Sequence, residues 1–307
     1  MSVGKAGEEI HPGDEGPSDA DDVSFARTLL QFFVIPALVV AVCVGIFFFF
    51  TWLVSEEKSG VDYLHDIRTG SASRRWQSAF ELAKLLNHPG DKARLTGLAP
   101  EMADTFRVAE DDDPRVRRYL ALAMGHLGDP RTVPVLVKAL GEKDPETKIY
   151  AIWALGAIGD PRAVPPLIEM AEHDDPGVRK MAVYSLGTLG AGEAQGVLRA
   201  ALNDHEMDVA WNAAMALAKL GDDSGRAQIL QMLDRELLGS IEAMTEDQRT
   251  EAMITAIKGA ALLGDGEMRQ RLLDISRQEP NLKVRQAALE ALAQVEKMEE
   301  PRQAEQK

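Results

Sequence analysis

A self-repeat with a period of 31 residues constrains this chain more than any other feature. Asp-Pro recurs at Asp113-Pro114, Asp144-Pro145 and Asp175-Pro176, and the pairs Leu127-Gly128, Ile158-Gly159, Leu189-Gly190 and Leu220-Gly221 keep the same step. Gly125, Gly156, Gly187 and Ala218 form a further column. A unit of this size cannot bury an apolar face alone, so successive units must stack and share one continuous core.

Each unit reads as two helices with their ends marked. Asp113 is a good N-cap and Pro114 suits the first helical position, where its missing N–H leaves no bond unmade. Gly128 can take the left-handed conformation that closes this first helix, helix A. Asp129 and Pro130 then open helix B, and Gly159-Asp160-Pro161 repeats the arrangement. Along helix A, Val116, Leu120, Met124 and Leu127 recur as Thr147, Ala151, Leu155 and Ile158, then as Val178, Ala182, Leu186 and Leu189. That spacing makes one buried stripe. In helix B, Val133, Leu136 and Leu140 recur as Val164, Leu167 and Ala171, and less faithfully as Gln195, Leu198 and Leu202.

The run V-R-x-x-x-x-x-L-G-x-L-G-D-P-R-x-V-P-x-L, carried by Val178-Arg179 through Leu189-Gly190 and by Gly159 through Leu167, resembles the HEAT-like repeats of the phycobilisome-lyase type. The likeness is strong over 112–221, looser over 73–111 and 222–296, and absent upstream. It implies an α-solenoid with A helices on the convex face and B helices on the concave one. The unit after Gly221 departs from the pattern: the next Leu263-Gly264 follows 43 residues later, an excess of 12 placed around Gly239 to Asp247. Leu282 to Val295 reads as the C-terminal cap.

Upstream, Thr28 to Val54 are 27 residues without a charge, with Gln31 and Thr51 near the ends. At about 1.5 Å per residue such a helix spans roughly 40 Å, enough to cross a bilayer. A secretory signal has a shorter apolar core and a small-x-small cleavage site, whereas this run continues into Trp52-Leu53-Val54, so a retained transmembrane helix is expected. Trp52 suits an interfacial anchor, Pro36 a kink in the first turns, and Cys43 a mid-membrane packing thiol. Arg27 stands alone before the helix, while Lys58, Arg68, Arg74 and Arg75 follow it, which favours a cytoplasmic C-terminal domain in the cell (inner) membrane. A signal anchor delivering that domain outside is the alternative.

The expected organisation is therefore an acidic, disordered tail (1–27), a transmembrane helix (28–54), a juxtamembrane linker (55–72), the solenoid (73–296) and a polar tail (297–307). The fold class is all-α, an α-solenoid of about six to seven HEAT-like helix pairs after one transmembrane helix.

Acidic residues outnumber basic ones by 49 to 34, a formal charge of −15, so nucleic-acid binding is not expected. The single cysteine, Cys43, excludes an intramolecular disulfide and a thiolate metal cage. Deoxyhypusine hydroxylases, another HEAT-like family, hold two irons through several His-Glu pairs; here only His205-Glu206 has that form. His173 and His205 read as solvated turn histidines. No catalytic, metal or cofactor residue is assigned, no cofactor is expected, and the chain is not expected to be an enzyme. Arg117, Lys148 and Arg179 share a column beside acids of neighbouring turns and read as a structural ladder.

Leu122, Trp153, Tyr184 and Met215 follow one 31-residue column, and Arg118, Ile149, Lys180 and Trp211 another, one turn earlier. Residues four apart share a helix face, so Leu122, Ile149, Trp153, Tyr184, Trp211 and Met215 are expected to form an apolar patch that binds a protein partner. The alternative is intramolecular cover by the linker residues Val61, Tyr63, Leu64 and Ile67, or by the inserted Leu237 to Met244. The leading expectation is a membrane-anchored scaffold or adaptor, an accessory subunit of a membrane complex that contacts the bilayer through 28–54. A bilin-lyase-like or other chromophore-handling component is the second expectation, and a passive envelope protein the third.

Overall fold

The computed structural model describes residues 30–54, 58–88, 90 and 95–305. The acidic tail expected at 1–27 and the side chain of Trp52 lie outside this set. The chain divides into two units, Met1–Lys58 and Ser59–Lys307. Sixteen α-helices and no strand are present among the described residues.

In the first unit a π-helical turn, Leu30–Val34, leads into α1, Ile35–Val54. Pro36 is the second residue of α1; it has no N–H for an α-type bond to Phe32, and the wider turn lies directly before it. Phe32–Phe50 has a mean hydropathy of 2.9 and none of it is buried, so this helix is long and apolar enough to cross a membrane. Cys43 is an exposed free thiol on it.

The second unit opens earlier than the repeat pattern indicates. Part of the segment expected as a linker forms α2, Gly60–Thr69, capped by Ser59, whose hydroxyl accepts from the Asp62 N–H while the Asp62 carboxylate accepts from the Ser59 N–H. Leu64 and Ile67 are fully buried, so α2 closes the N-terminal end of the core and does not cover the aromatic columns. Six helix pairs follow: α3 (Ala72–Leu86) with α4 (Ala99–Val108), α5 (Pro114–Leu127) with α6 (Val133–Ala139), α7 (Pro145–Ile158) with α8 (Val164–Met170), α9 (Pro176–Leu189) with α10 (Gln195–Ala201), α11 (Met207–Lys219) with α12 (Arg226–Met232), and α14 (Glu246–Leu263) with α15 (Gly266–Gln278). The insertion contributes α13, Arg235–Ser240. The closing helix α16, Leu282–Glu305, continues through most of the expected polar tail.

Caps stand where the sequence puts them. Asp113, Asp144 and Asp175 each accept a backbone N–H at the start of an A helix, and Gly128, Gly159 and Gly190 close those helices at φ of 72°, 79° and 65°. The start of helix B differs from expectation. Asp129 and Asp160 cap short 3-10 turns, Pro130–Thr132 and Pro161–Ala163, and the α-helix begins only at Val133 or Val164. Pro134 and Pro165 lack the N–H that an α-helix running from Pro130 or Pro161 would need, whereas the third unit makes the same turn over Gly192–Ala194 with glycine at 196.

The A helices bury more than the one stripe read from the sequence. Val116, Leu120, Met124 and Leu127 are buried, but so are Ala121 and Ala123, because each A helix is enclosed by the preceding and following A helices as well as by its own partner. Gly125, Gly156 and Gly187 permit that approach: a Cβ on them would come within 2.8 Å of the Ala154 Cα, 2.7 Å of the Ser185 Cβ and 2.5 Å of the Ala216 Cβ. The buried Ser185 hydroxyl donates to the Ile152 carbonyl at 3.1 Å, so no unpaired polar group results.

Hydrogen bonds from Arg115 and Arg131 hold the Asp113 and Asp129 carboxyls below the usual carboxylate range, and Arg162 holds Asp160 at about 2. A depressed folded-state pKa stabilises above the unfolded value, and that stabilisation is lost as pH falls toward the folded one. The melting temperature is therefore expected to be flat from neutrality to about pH 5 and to drop below about pH 4, with Asp160→Asn showing a shallower drop; thermal unfolding at stepped pH reads this.

Candidate interaction groove

The A-helix columns are built by the repeat, and their surroundings are set by what precedes and follows. Leu122 and Ile149 are half-buried against the first core cluster, Ile149 placing its Cδ1 3.2 Å from where a Cβ on Gly177 would lie. Trp153 is half-buried: its ring passes 2.6 Å from where a Cβ on Gly125 would stand and meets His126 edge-on at 5.1 Å. Tyr184 is 44% exposed, with the Lys219 ammonium 5.6 Å from its ring centre. Met215 is half-buried beside Gly259. Trp211, expected on the open patch, is only 7% exposed and belongs to the second core cluster, against which Ile241 and Met244 of the insertion pack.

Four of the six columnar residues, Trp153, Tyr184, Trp211 and Met215, line one groove of about 930 Å³; Leu122 and Ile149 lie outside it. Its far wall is the inserted segment and the first turns of α14. At 18 residues α14 is longer than the 14-residue helices α5, α7 and α9, and Thr245 caps it in a reciprocal pair with Gln248. Arg235 reaches from α13 to Glu246 at 2.9 Å and Glu279 at 2.7 Å, and Arg249 donates to the carbonyls of Gly239 and Ile241 at 3.4 Å. These bonds brace the wall where it packs on α11, so the intramolecular cover reaches Trp211 but leaves Tyr184 open.

Apart from Met215, two groups of groove residues lie outside the patch read from the sequence. Met181, Met207, Met215, Met232 and Met244 place five of the 12 methionines here, Met207 being 48% exposed. Exposed carboxylates of Glu206, Asp208, Asp247 and Glu251 form the rim. Asp208 pairs with Lys180 at 3.1 Å; the other three make no ion pair among the described residues. Methionine enrichment is the sequence signal that marks such a place, but only the fold gathers residues from five elements.

The basic column forms the ladder read from the sequence. Arg117 pairs with Glu142, donates to the Phe106 carbonyl and lies 3.9 Å above the Phe106 ring; Arg179 pairs with Asp204 at 2.7 and 2.9 Å. Glu142, His173 and Asp204 themselves recur at 31, so each rung ties the start of an A helix to the turn after its own B helix. The Arg179 hydrogen bond holds the Asp204 carboxyl below its usual range.

The middle rung is the exception, with Lys148 Nζ 2.8 Å from His173 Nε2. His173 Nδ1 accepts the Asp175 N–H at 3.0 Å, which leaves Nε2 to carry the ring proton, so two donors face each other. His173→Asp is expected to raise stability by about 0.5–1 kcal/mol, since Asp204 already shows that a carboxylate here accepts both bonds; a higher melting temperature is the readout. His205 is exposed, and no cluster of three metal-ligating side chains exists among the described residues.

Residues 105–177 and 164–237 match the family model for HEAT repeats, so this stretch of the chain consists of HEAT repeats. The complex of CpcE and CpcF of phycocyanin lyase from Nostoc sp. PCC7120 is similar at 17% identity, covering 78% of this chain and 88% of that one with a TM-score of 0.54. An engineered protein is similar at 19% identity over 78% of this chain and 97% of its own, with a TM-score of 0.43. Human deoxyhypusine hydroxylase is similar at 18% identity over 77% and 96%, with a TM-score of 0.35. At these identities the likeness concerns the fold. No curated protein matches the chain.

Proposed function

We propose that this chain is a membrane-anchored HEAT-repeat scaffold whose solenoid docks a protein partner, as an accessory subunit of a membrane complex. The observation that carries this reading is the groove, an apolar depression of about 930 Å³ that the insertion walls but does not fill. Stacked helix pairs supply extended surfaces of this kind, and HEAT repeats serve protein–protein contact for that reason. The apolar helix α1 supplies the anchor, with Pro36 and Cys43 within it and the bilayer contacted through 28–54. The basic residues that follow it favour a cytoplasmic solenoid. No catalytic role is part of this reading.

Purification of the full chain in mild detergent after cross-linking in cells is expected to recover one protein in fixed stoichiometry. Recovery of the chain alone would overturn the scaffold reading, and a bound chromophore would favour the lyase-like alternative instead. Orientation is read separately: Gln303→Cys, with Cys43 replaced, is expected to resist a membrane-impermeant thiol reagent until the cells are lysed.

A further inference from the structure

We infer that the groove receives a basic amphipathic helix from the partner. This rests on the scaffold reading and adds the chemistry of what is bound. Its first support is charge. Three of the four rim carboxylates, those of Glu206, Asp247 and Glu251, are exposed and without an ion pair among the described residues, and the one ammonium lining the groove, Lys180, is taken up by Asp208. Lys219 stands just outside, over Tyr184. A cationic rim on the ligand complements this edge, and an anionic one is repelled.

The second support is the floor. Trp153, Tyr184 and Met215 come from successive A helices, which stack at about 10 Å, close to the spacing of two helical turns in a ligand lying across them. Methionine side chains, unbranched and polarizable, accommodate apolar ligand side chains of varied shape. The third support is hydrogen bonding. An extended peptide would need backbone partners along its length, but apart from the short stretch Ile241 to Met244 the groove is lined mainly by helices, whose backbone groups bond internally. Two of its side-chain amides are already engaged, Asn212 donating to the Asp208 carbonyl at 2.7 Å and Gln248 accepting from the Thr245 N–H at 2.8 Å. A ligand that satisfies its own backbone, a helix, fits these walls.

The chain's own ends do not fit. Residues 1–27 carry seven acids against two bases, and 297–307 carry three of each with Met298 the only large apolar residue.

The test uses the full chain in phosphatidylcholine nanodiscs, with empty nanodiscs as the blank. The probe is a fluorescein-labelled amphipathic Leu/Lys helix of about 20 residues, compared with its Leu/Glu counterpart. The basic peptide is expected to bind at least about tenfold more tightly than the acidic one, with affinity falling as salt rises. The double variant Asp247→Lys, Glu251→Lys, shown to be folded by circular dichroism, is expected to reverse the preference. Equal affinity for the two peptides, an unchanged preference in the variant, or binding no greater than to empty nanodiscs would overturn the inference. So would a doubled mass in light scattering that the variant abolishes, which would assign the groove to a second copy. If the cross-linked partner is recovered equally by the variant, the groove assignment fails and the scaffold stands. If no partner is recovered yet the peptide preference reverses, the scaffold fails and the groove's chemistry stands.

Discussion

Gly187→Ala is expected to destabilise the solenoid by about 2 kcal/mol, although alanine is the better helix former by about 1 kcal/mol. The new Cβ would lie 2.5 Å from the Ala216 Cβ and 2.8 Å from the Ala216 Cα. The second of these atoms is backbone, so rotation of a side chain cannot relieve the clash and α9 must move away from α11. Gly187→Val, with two further methyl groups in the same space, is expected to cost about 3 kcal/mol or more. The control is Gly196→Ala in α10, where nothing lies within 4 Å of the added Cβ; propensity alone acts there, and a gain of up to about 1 kcal/mol is expected. Thermal or urea unfolding of the full chain in detergent reads both signs. A gain at both positions would mean that the A helices pack less closely than the 31-residue glycine column indicates.

That column shows how far the sequence carries the fold. The ends of the A helices were legible because each rests on a local rule: Asp113 and Gly128 act within one turn of themselves. The period was legible because stacking requires the same surface on every unit. What a neighbouring unit does to a given residue was less legible. Gly125 reads only as one member of a column, and it takes the fold to show that its absent side chain makes room for Trp153 and Ala154. Leu64 and Ile67 fall outside the repeat, and nothing local in their sequence says that they are fully buried at the end of the core. The candidate site divides in the same way. Trp153, Tyr184, Trp211 and Met215 follow from the columns, whereas Glu206, Asp247 and Glu251 become its rim only because the insertion sets the start of α14 opposite α11.

Trp211→Ala is expected to lower stability by about 3 kcal/mol or more, and Tyr184→Ala to change it by no more than about 0.5 kcal/mol. Both positions belong to adjoining A-helix columns, so the repeat pattern alone assigns them similar fates. The structure separates them through the insertion. Trp211 is 7% exposed within the second core cluster, together with Ala214, Leu238 and Met253, and its removal leaves a cavity bounded by three helices that cannot all close on it. Tyr184 is 44% exposed and touches Lys219 through its ring face, so truncation returns little surface to water that was not already wet. The pair therefore distinguishes cover from docking in one experiment, since Tyr184→Ala is expected to weaken capture of the basic helical peptide by about tenfold while the melting temperature stays put. An unchanged melting temperature for Trp211→Ala would mean that the insertion does not close over α11, and the groove would then be wider than its walls at Ile241 and Met244 allow.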